Sequence, residues 1–268
     1  MKRILLLTSI LAFWAFSTTG FKEEQLRYPR VRTAFAEKEA GLISLLKSKN
    51  LSLENLSILI IGLKESEQIE GWATDNNKKK YERILSYNFC SSSGTLGPKS
   101  KQGDMQIPEG VYYIDRFNPS SNFYLSLGIN YPTACDKARA SGNPGGDIFI
   151  HGDCVTIGCI PITDDKIKEL YTLCVLAKNA GQTKIPVYLF PFRMNEENML
   201  KQTKSKHYNF WKSLAPICEY LYEQKAMPKY TCSGDGQYVC TPQLIGGFKV
   251  SRWFEIHRFR CFAMCGCG

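Results

Sequence analysis

Residues 147–162 read DIFIHGDCVTIGCIPI, and the fold of the chain is decided here. A short apolar run, Ile148-Phe149-Ile150, delivers His151 at its end, as a strand does. Gly152 permits a turn, and a second run closes on Gly158-Cys159, eight residues after His151. That spacing is enough for a strand, a tight loop and a return. An imidazole beside a thiol is the pair that cysteine acyl transfer needs. Neutral imidazole takes the thiol proton, and the thiolate is the nucleophile. Gly158 leaves the backbone bare just before the sulfur, where N–H groups could hold a developing oxyanion. Two other readings of the same residues stay open. The pair could be packing, or His151, Cys154 and Cys159 could belong to a zinc site. H-x2-C-x4-C matches none of the usual tetrahedral sets, and a fourth ligand would have to come from elsewhere.

Working outward, the 268 residues suffice for one large domain with extensions or for two small ones. A hydrophobic content of 44%, with 12% aromatics, supplies a core and excludes a disordered chain. Residues 1–20 have the pattern of a secretory signal peptide: Lys2-Arg3, then the apolar Ile4 to Phe16, then the small residues Ser17 to Gly20. The apolar stretch is too short for a membrane span, so no integral membrane segment is expected once the leader is cut. Loss of Lys2 and Arg3 lowers the formal charge from +9 by two, to +7. A basic exported protein suits a polyanionic partner. No RRM, zinc-finger or helix-turn-helix pattern supports nucleic acid, and wall polymer is the better candidate. Eleven cysteines in such a chain predict disulfides, and the odd count leaves at least one thiol over.

Helical and strand-like stretches flank the His/Cys motif. Residues 33–50 carry helical periodicity, with Thr33 as start and Asn50 as end signal, after a loose polar lead-in over 21–32. Strands are expected at Leu56 to Leu63, Gln68 to Ala73, Tyr81 to Cys90, Val111 to Arg116 and Asn122 to Ile129, and again at Ile185 to Phe190. The run Asn76 to Lys80 reads as a solvated turn, and two long Gly/Pro-rich loops cover 91–110 and 130–146. A helix starts after Thr163 as cap and ends at Gly181, with Asp164 and Asp165 complementing its dipole. Residues 195–226 read as helix. In the dense tail, Cys232, Cys240, Cys261, Cys265 and Cys267 read as disulfide staples.

Taken in order, LGPK at 96–99, Gly103-Asp104, PEG at 108–110, FYLSLGINYP at 123–132, IHG and TIGC around the motif, and VYLFPFRMN at 187–195 resemble the YkuD-type L,D-transpeptidases. The similarity is to their YafK-like branch and covers about 56–195. The resemblance implies a peptidoglycan-modifying enzyme of the cell envelope or periplasm, acting on stem peptides through a cysteine acyl-enzyme with no cofactor or metal. It implies Cys159 as nucleophile, His151 as general base and acid, and Gly158 in the oxyanion pocket. Where the wider family has Ser-His before that glycine and an Arg after the cysteine, this chain has Thr156-Ile157 and Ile160-Pro161-Ile162. Both transfer and hydrolysis therefore stay open, the latter including cleavage of protein–peptidoglycan links to a wall-linked protein. An inactive wall-binding protein is the third reading. Tyr131, Lys99 and Arg193 are candidate substrate contacts by loop position. The expected fold is mainly β, a mixed-strand sandwich or barrel-like catalytic domain with peripheral α-helices. The expected organisation is a leader over 1–20, a helical lead-in over 21–55, the catalytic domain over 56–195 and a helical, Cys-rich extension over 196–268.

Overall fold

The computed structural model describes residues 20–75, 78 and 80–241. Residues 1–19 of the expected leader and the tail cysteines Cys261, Cys265 and Cys267 lie outside the described residues.

An eight-stranded mixed sheet forms the centre, in the order β3-β2-β1-β8-β4-β5-β6-β7. Strands β1 (Ser57–Leu63), β2 (Gln68–Thr74) and β3 (Glu82–Asn88) form an antiparallel meander. β8 (Pro186–Phe190) runs parallel to β1 and antiparallel to β4 (Gly110–Asn118), which continues antiparallel to β5 (Ser126–Ile129). β6 (Phe149–His151) pairs antiparallel with β5 and parallel with the two-residue β7 (Ile160–Pro161). The sheet is curled. Its two outermost strands approach each other where Cys90, just past β3, donates its N–H to Pro161 of β7 at 3.0 Å.

β1 reads as an unbroken apolar run because both of its faces are covered. Ile58 and Ile60 face one cluster, with Leu42 and Leu46 of α2 (Pro29–Ser48) and Leu170 and Leu173 of α4 (Asp164–Asn179). Leu59, Ile61 and Leu63 face the other, with Phe210, Trp211 and Leu214 of α6 (Tyr208–Gln224). Each successive residue goes to the opposite side, as the pleat requires.

The remaining elements correct several expectations. α2 starts at Pro29 rather than Thr33, because proline in the first turn gives up no hydrogen bond. Thr33 instead donates its hydroxyl back to the Pro29 carbonyl at 3.2 Å. Asn50 does take the left-handed conformation after the helix, with φ 52°. The lead-in holds a short helix, α1 (Phe21–Gln25), since Tyr171 of α4 donates to buried Gln25 at 2.6 Å and Phe21 packs edge-on against Phe117. The loop over 130–146 contains α3 (Ala134–Arg139), started by a capping box between Thr133 and Asp136. Thr163 precedes α4 without capping it through its side chain. Residues 195–226 divide into α5 (Glu196–Lys201) and α6.

A hairpin of β9 (Lys229–Cys232) and β10 (Tyr238–Thr241) ends the described chain. Cys232 bridges to Cys135 of α3, as a tail staple should, whereas Cys240 forms no bridge with a described residue. Tyr238 anchors the hairpin by accepting the N–H of Val111 at 3.0 Å. Among the described residues no helix is long and apolar enough to cross a membrane.

Candidate active site

His151 ends β6 and is 1% exposed. Its Nδ1 lies 2.5 Å from the Gly152 carbonyl. A carbonyl only accepts, so this contact places the proton on Nδ1 and leaves the lone pair on Nε2. The Phe123 ring lies over the imidazole, 4.6 Å between centroids. Burial pulls the His151 pKa below its ordinary 6.5, against the Gly152 carbonyl and Asp153, which pull it up. The ring is therefore neutral and Nε2-basic at neutral pH. Gly152 is required as glycine: a Cβ there would lie 2.5 Å from Asp164 Oδ1 and 2.8 Å from the Phe123 carbonyl.

Residues 152–159 form a strap from the end of β6 back to the start of β7. The return is parallel, not a hairpin: Ile150 pairs with Ile160 and His151 with Pro161. Cys159 therefore stands beside Phe149, two positions from His151 along the strand. Ile150 and Ile160 are fully buried on the core side. By alternation Cys159 and His151 share the other side as diagonal neighbours across the parallel pair. The thiol is half-buried and donates to the Asp147 carbonyl at 3.7 Å. Burial pushes its pKa above the ordinary 9.0, with the Phe149 N–H and the Lys99 charge pulling the other way. No hydrogen bond joins the thiol to the imidazole among the described residues.

Gly158 has φ +126°, and a Cβ there would meet the Gln106 carbonyl at 3.1 Å, so the bare backbone is a necessity. Its expected role as an oxyanion donor needs correcting for this conformation. The N–H groups of Gly158 and Cys159 both donate to Thr156 Oγ1, at 3.2 and 2.9 Å. The Thr156 hydroxyl in turn donates to the Cys159 carbonyl at 2.8 Å. The zinc reading loses Cys154, which forms a disulfide with Cys90.

The other named residues separate. Lys99 is buried, 2.5 Å from Asp104, and also donates to the Lys101 carbonyl at 3.0 Å. Asp104 collects the N–H groups of Ser100, Lys101 and Gln106, which orders the loop facing the strap. Tyr131 is buried against that loop and donates to the Pro144 carbonyl at 3.2 Å. Lys99 and Tyr131 thus stand in one wall near Cys159. Arg193 is not brought to the site: its guanidinium lies 3.3 Å from the Tyr222 ring centroid and reaches Glu223 and Cys218 on α6. Sequence reasoning missed Gly152 O and Thr156. The first is a backbone atom that no side-chain pattern names, and the second had only its position three residues before the cysteine as a signal.

Residues 65–189 match the L,D-transpeptidase catalytic domain named YkuD. Two Escherichia coli sequences, from strains K12 and O157:H7 and both named "Putative L,D-transpeptidase YafK", are 38% identical over 168 residues, spanning 62% of this chain and 67% of each relative. Among solved structures, the helical cell shape determining protein Pgp2 from Campylobacter jejuni aligns with TM-score 0.41 and 17% identity, covering 67% of this chain and 74% of that one. Bd1075 of Bdellovibrio bacteriovorus aligns with TM-score 0.36 and 23% identity, covering 53% and 50%. With identity that high over two thirds of its relatives' length, the chain belongs to the YkuD-type L,D-transpeptidases, in their YafK-like branch.

Proposed function

We propose that this protein is a cysteine acyl transferase acting on peptidoglycan stem peptides in the cell envelope. The observation that carries the reading is the orientation of His151: its Nδ1–H is spent on Gly152 O, so Nε2 is the base, and Cys159 lies on the same side of the sheet. The thiol turns from Asp147 O toward Nε2 and gives up its proton. The thiolate attacks the carbonyl carbon of a stem-peptide amide, and His151-H⁺ protonates the departing amine as the C–N bond breaks, leaving a thioester on Cys159. An acceptor amine then gives transfer; water gives hydrolysis. For the oxyanion to reach the Gly158 and Cys159 N–H groups, Thr156 Oγ1 has to yield them. No cofactor enters. Two disulfides among the described residues fit an oxidising compartment, in line with the leader pattern over 1–20.

Mass spectrometry of the protein incubated with muropeptides tests this. A stem-peptide adduct on Cys159, absent from Cys159→Ala, is the expected result. Transfer is the expected main outcome, and a product pool of hydrolysed peptides alone would assign the hydrolase activity instead, including release of a wall-linked protein. Turnover by Cys159→Ala equal to the parent would overturn both enzyme readings. An unreactive Cys159 in a folded protein that still binds wall polymer would assign a binding role.

A further inference from the structure

The strap over 152–159 has little apolar packing to hold it. Asp153, Cys154, Val155 and Ile157 are exposed, Ile157 at 79%. Hydrogen bonds and one disulfide fix it instead, beginning with the Gly152 N–H, which donates to the Leu125 carbonyl at 3.1 Å. Thr156 Oγ1 ties its C-terminal end to itself, and Asp164 Oδ1 of α4 accepts the Asp153 N–H at 2.9 Å. The last is the Cys90–Cys154 bridge, which joins residues 64 apart in sequence with Cα atoms 5.3 Å apart. Only this one reaches across to the opposite border of the sheet, at the point where Cys90 N–H also meets Pro161 O, two residues beyond Cys159. Neither bridged cysteine belongs to the two core clusters, so the bridge serves the strap rather than the core.

We propose that Cys90–Cys154 is the positioning device of Cys159: the bridge closes the seam between β3 and β7 and keeps the thiol on the side of His151, so that acylation depends on its oxidised state. This rests on the acyl-transfer reading above. Reduction by dithiothreitol converts the bridge into two thiols, each sulfur gaining one hydrogen, while the reagent closes to its cyclic disulfide. The strap then keeps its hydrogen bonds through Gly152, Thr156 and Asp164 but loses its covalent tie to the β3 border.

The test uses the full chain with Cys90→Ser and Cys154→Ser together, which leaves no stray thiol beside Cys159. Cys135→Ser with Cys232→Ser removes the other bridge as a control. Three quantities are measured: kcat and KM on muropeptides, the pH midpoint of Cys159 alkylation by iodoacetamide, and the thermal midpoint. Displacing a nucleophile by about 1 Å lowers turnover about 100-fold, so kcat in the first double variant should fall about 10- to 100-fold. KM should stay within about twofold, because the loss is in the transition state. The alkylation midpoint, which burial holds high in the parent, should fall toward the value of about 8.5 of an exposed thiol as the strap loosens. The control should lose thermal stability without either change. A folded Cys90/Cys154 variant with kcat within about twofold of the parent and an unmoved alkylation midpoint overturns the proposal. If that variant does not fold, the native protein is briefly reduced, freed of dithiothreitol, assayed, and assayed again after reoxidation. Activity lost and then regained supports positioning, and activity unchanged while Cys90 and Cys154 are both reduced overturns it. If the parent turns over no muropeptide, the acyl-transfer reading fails on its own, and the alkylation profile still decides whether the bridge positions Cys159.

Discussion

The state of His151 sets how activity responds to acid. Burial holds its pKa below 6.5, so the base-competent neutral ring persists into mildly acidic solution. The acid limb of kcat/KM against pH should therefore have its midpoint below 6.5, and His151→Gln should abolish that limb; a midpoint above 7 would contradict the burial argument. The stability sign follows. A base whose folded pKa is depressed binds its proton more readily unfolded, so its contribution is complete above 6.5 and is lost as pH falls from there through the lower value. Thr156 offers a second measurement. Thr156→Val removes the acceptor of two N–H groups and should cost about 1–3 kcal/mol in urea unfolding, with Thr156→Ser restoring most of it. At this scale short spacing brought His151 and Cys159 to notice, and the parallel register sets both on one side of the sheet. The sequence was silent on the Gly152 carbonyl, and position in a loop misled for Arg193, whose flat guanidinium settles on Tyr222.

Long periodic segments declared themselves as elements, and short ones did not. α2 buries one stripe of apolar residues and α4 is covered on all sides from Leu170 to Ala177; both were legible as helices, while β1 showed as an apolar run. α3 is six residues long, and α1 five, so neither builds a period. What holds α3 is its cap. Asp136 is 1% exposed, closes the capping box with Thr133, accepts from Tyr112 at 3.0 Å and pairs with Arg139 at 2.8 Å. Asp136→Ala would leave Arg139 buried without its carboxylate, and a loss of about 3–5 kcal/mol is expected in urea unfolding. The Cys135–Cys232 bridge starts from the same helix, so the β9–β10 hairpin should gain protease sensitivity in that variant.

In the whole molecule, residues from distant parts of the chain complete one another. Lys64, next to β1, donates to the Gly97 and Ile107 carbonyls at 2.8 and 2.9 Å and pairs with Glu109 at 3.0 Å. Glu109 is fully buried and also accepts from Trp211 of α6 at 2.8 Å. Burial lowers the Lys64 pKa even with Glu109 opposing it. Glu109→Ala should therefore cost about 3–5 kcal/mol, and Lys64→Met added to it should recover part of that loss, since the unpaired buried charge is then gone. No sequence pattern announces this network, because its partners lie 45 and 102 residues apart. The mainly β architecture with outer helices was legible from alternating short strands and two strong helical periods. That α6 shares a cluster with Leu59 and Ile61 was not, since nothing local says which surface an amphipathic helix will cover.

The way α6 and the hairpin close over the sheet also governs when folding can finish. Trp211 to Glu109 spans 102 residues, Tyr238 to Val111 spans 127, and Tyr222 to Glu70 spans 152. Contacts of that separation come late, because each must offset the closure of a long loop before it stabilises anything. A chain still emerging from its synthesis at residue 195 would hold Leu59, Ile61 and Phe190 with one side uncovered. Refolding from urea should accordingly be slow, on the order of milliseconds to seconds, with the Trp211 fluorescence signal arriving in the last phase. A chain with this wiring keeps an apolar flank of its sheet open to solvent until α6 and the hairpin have docked.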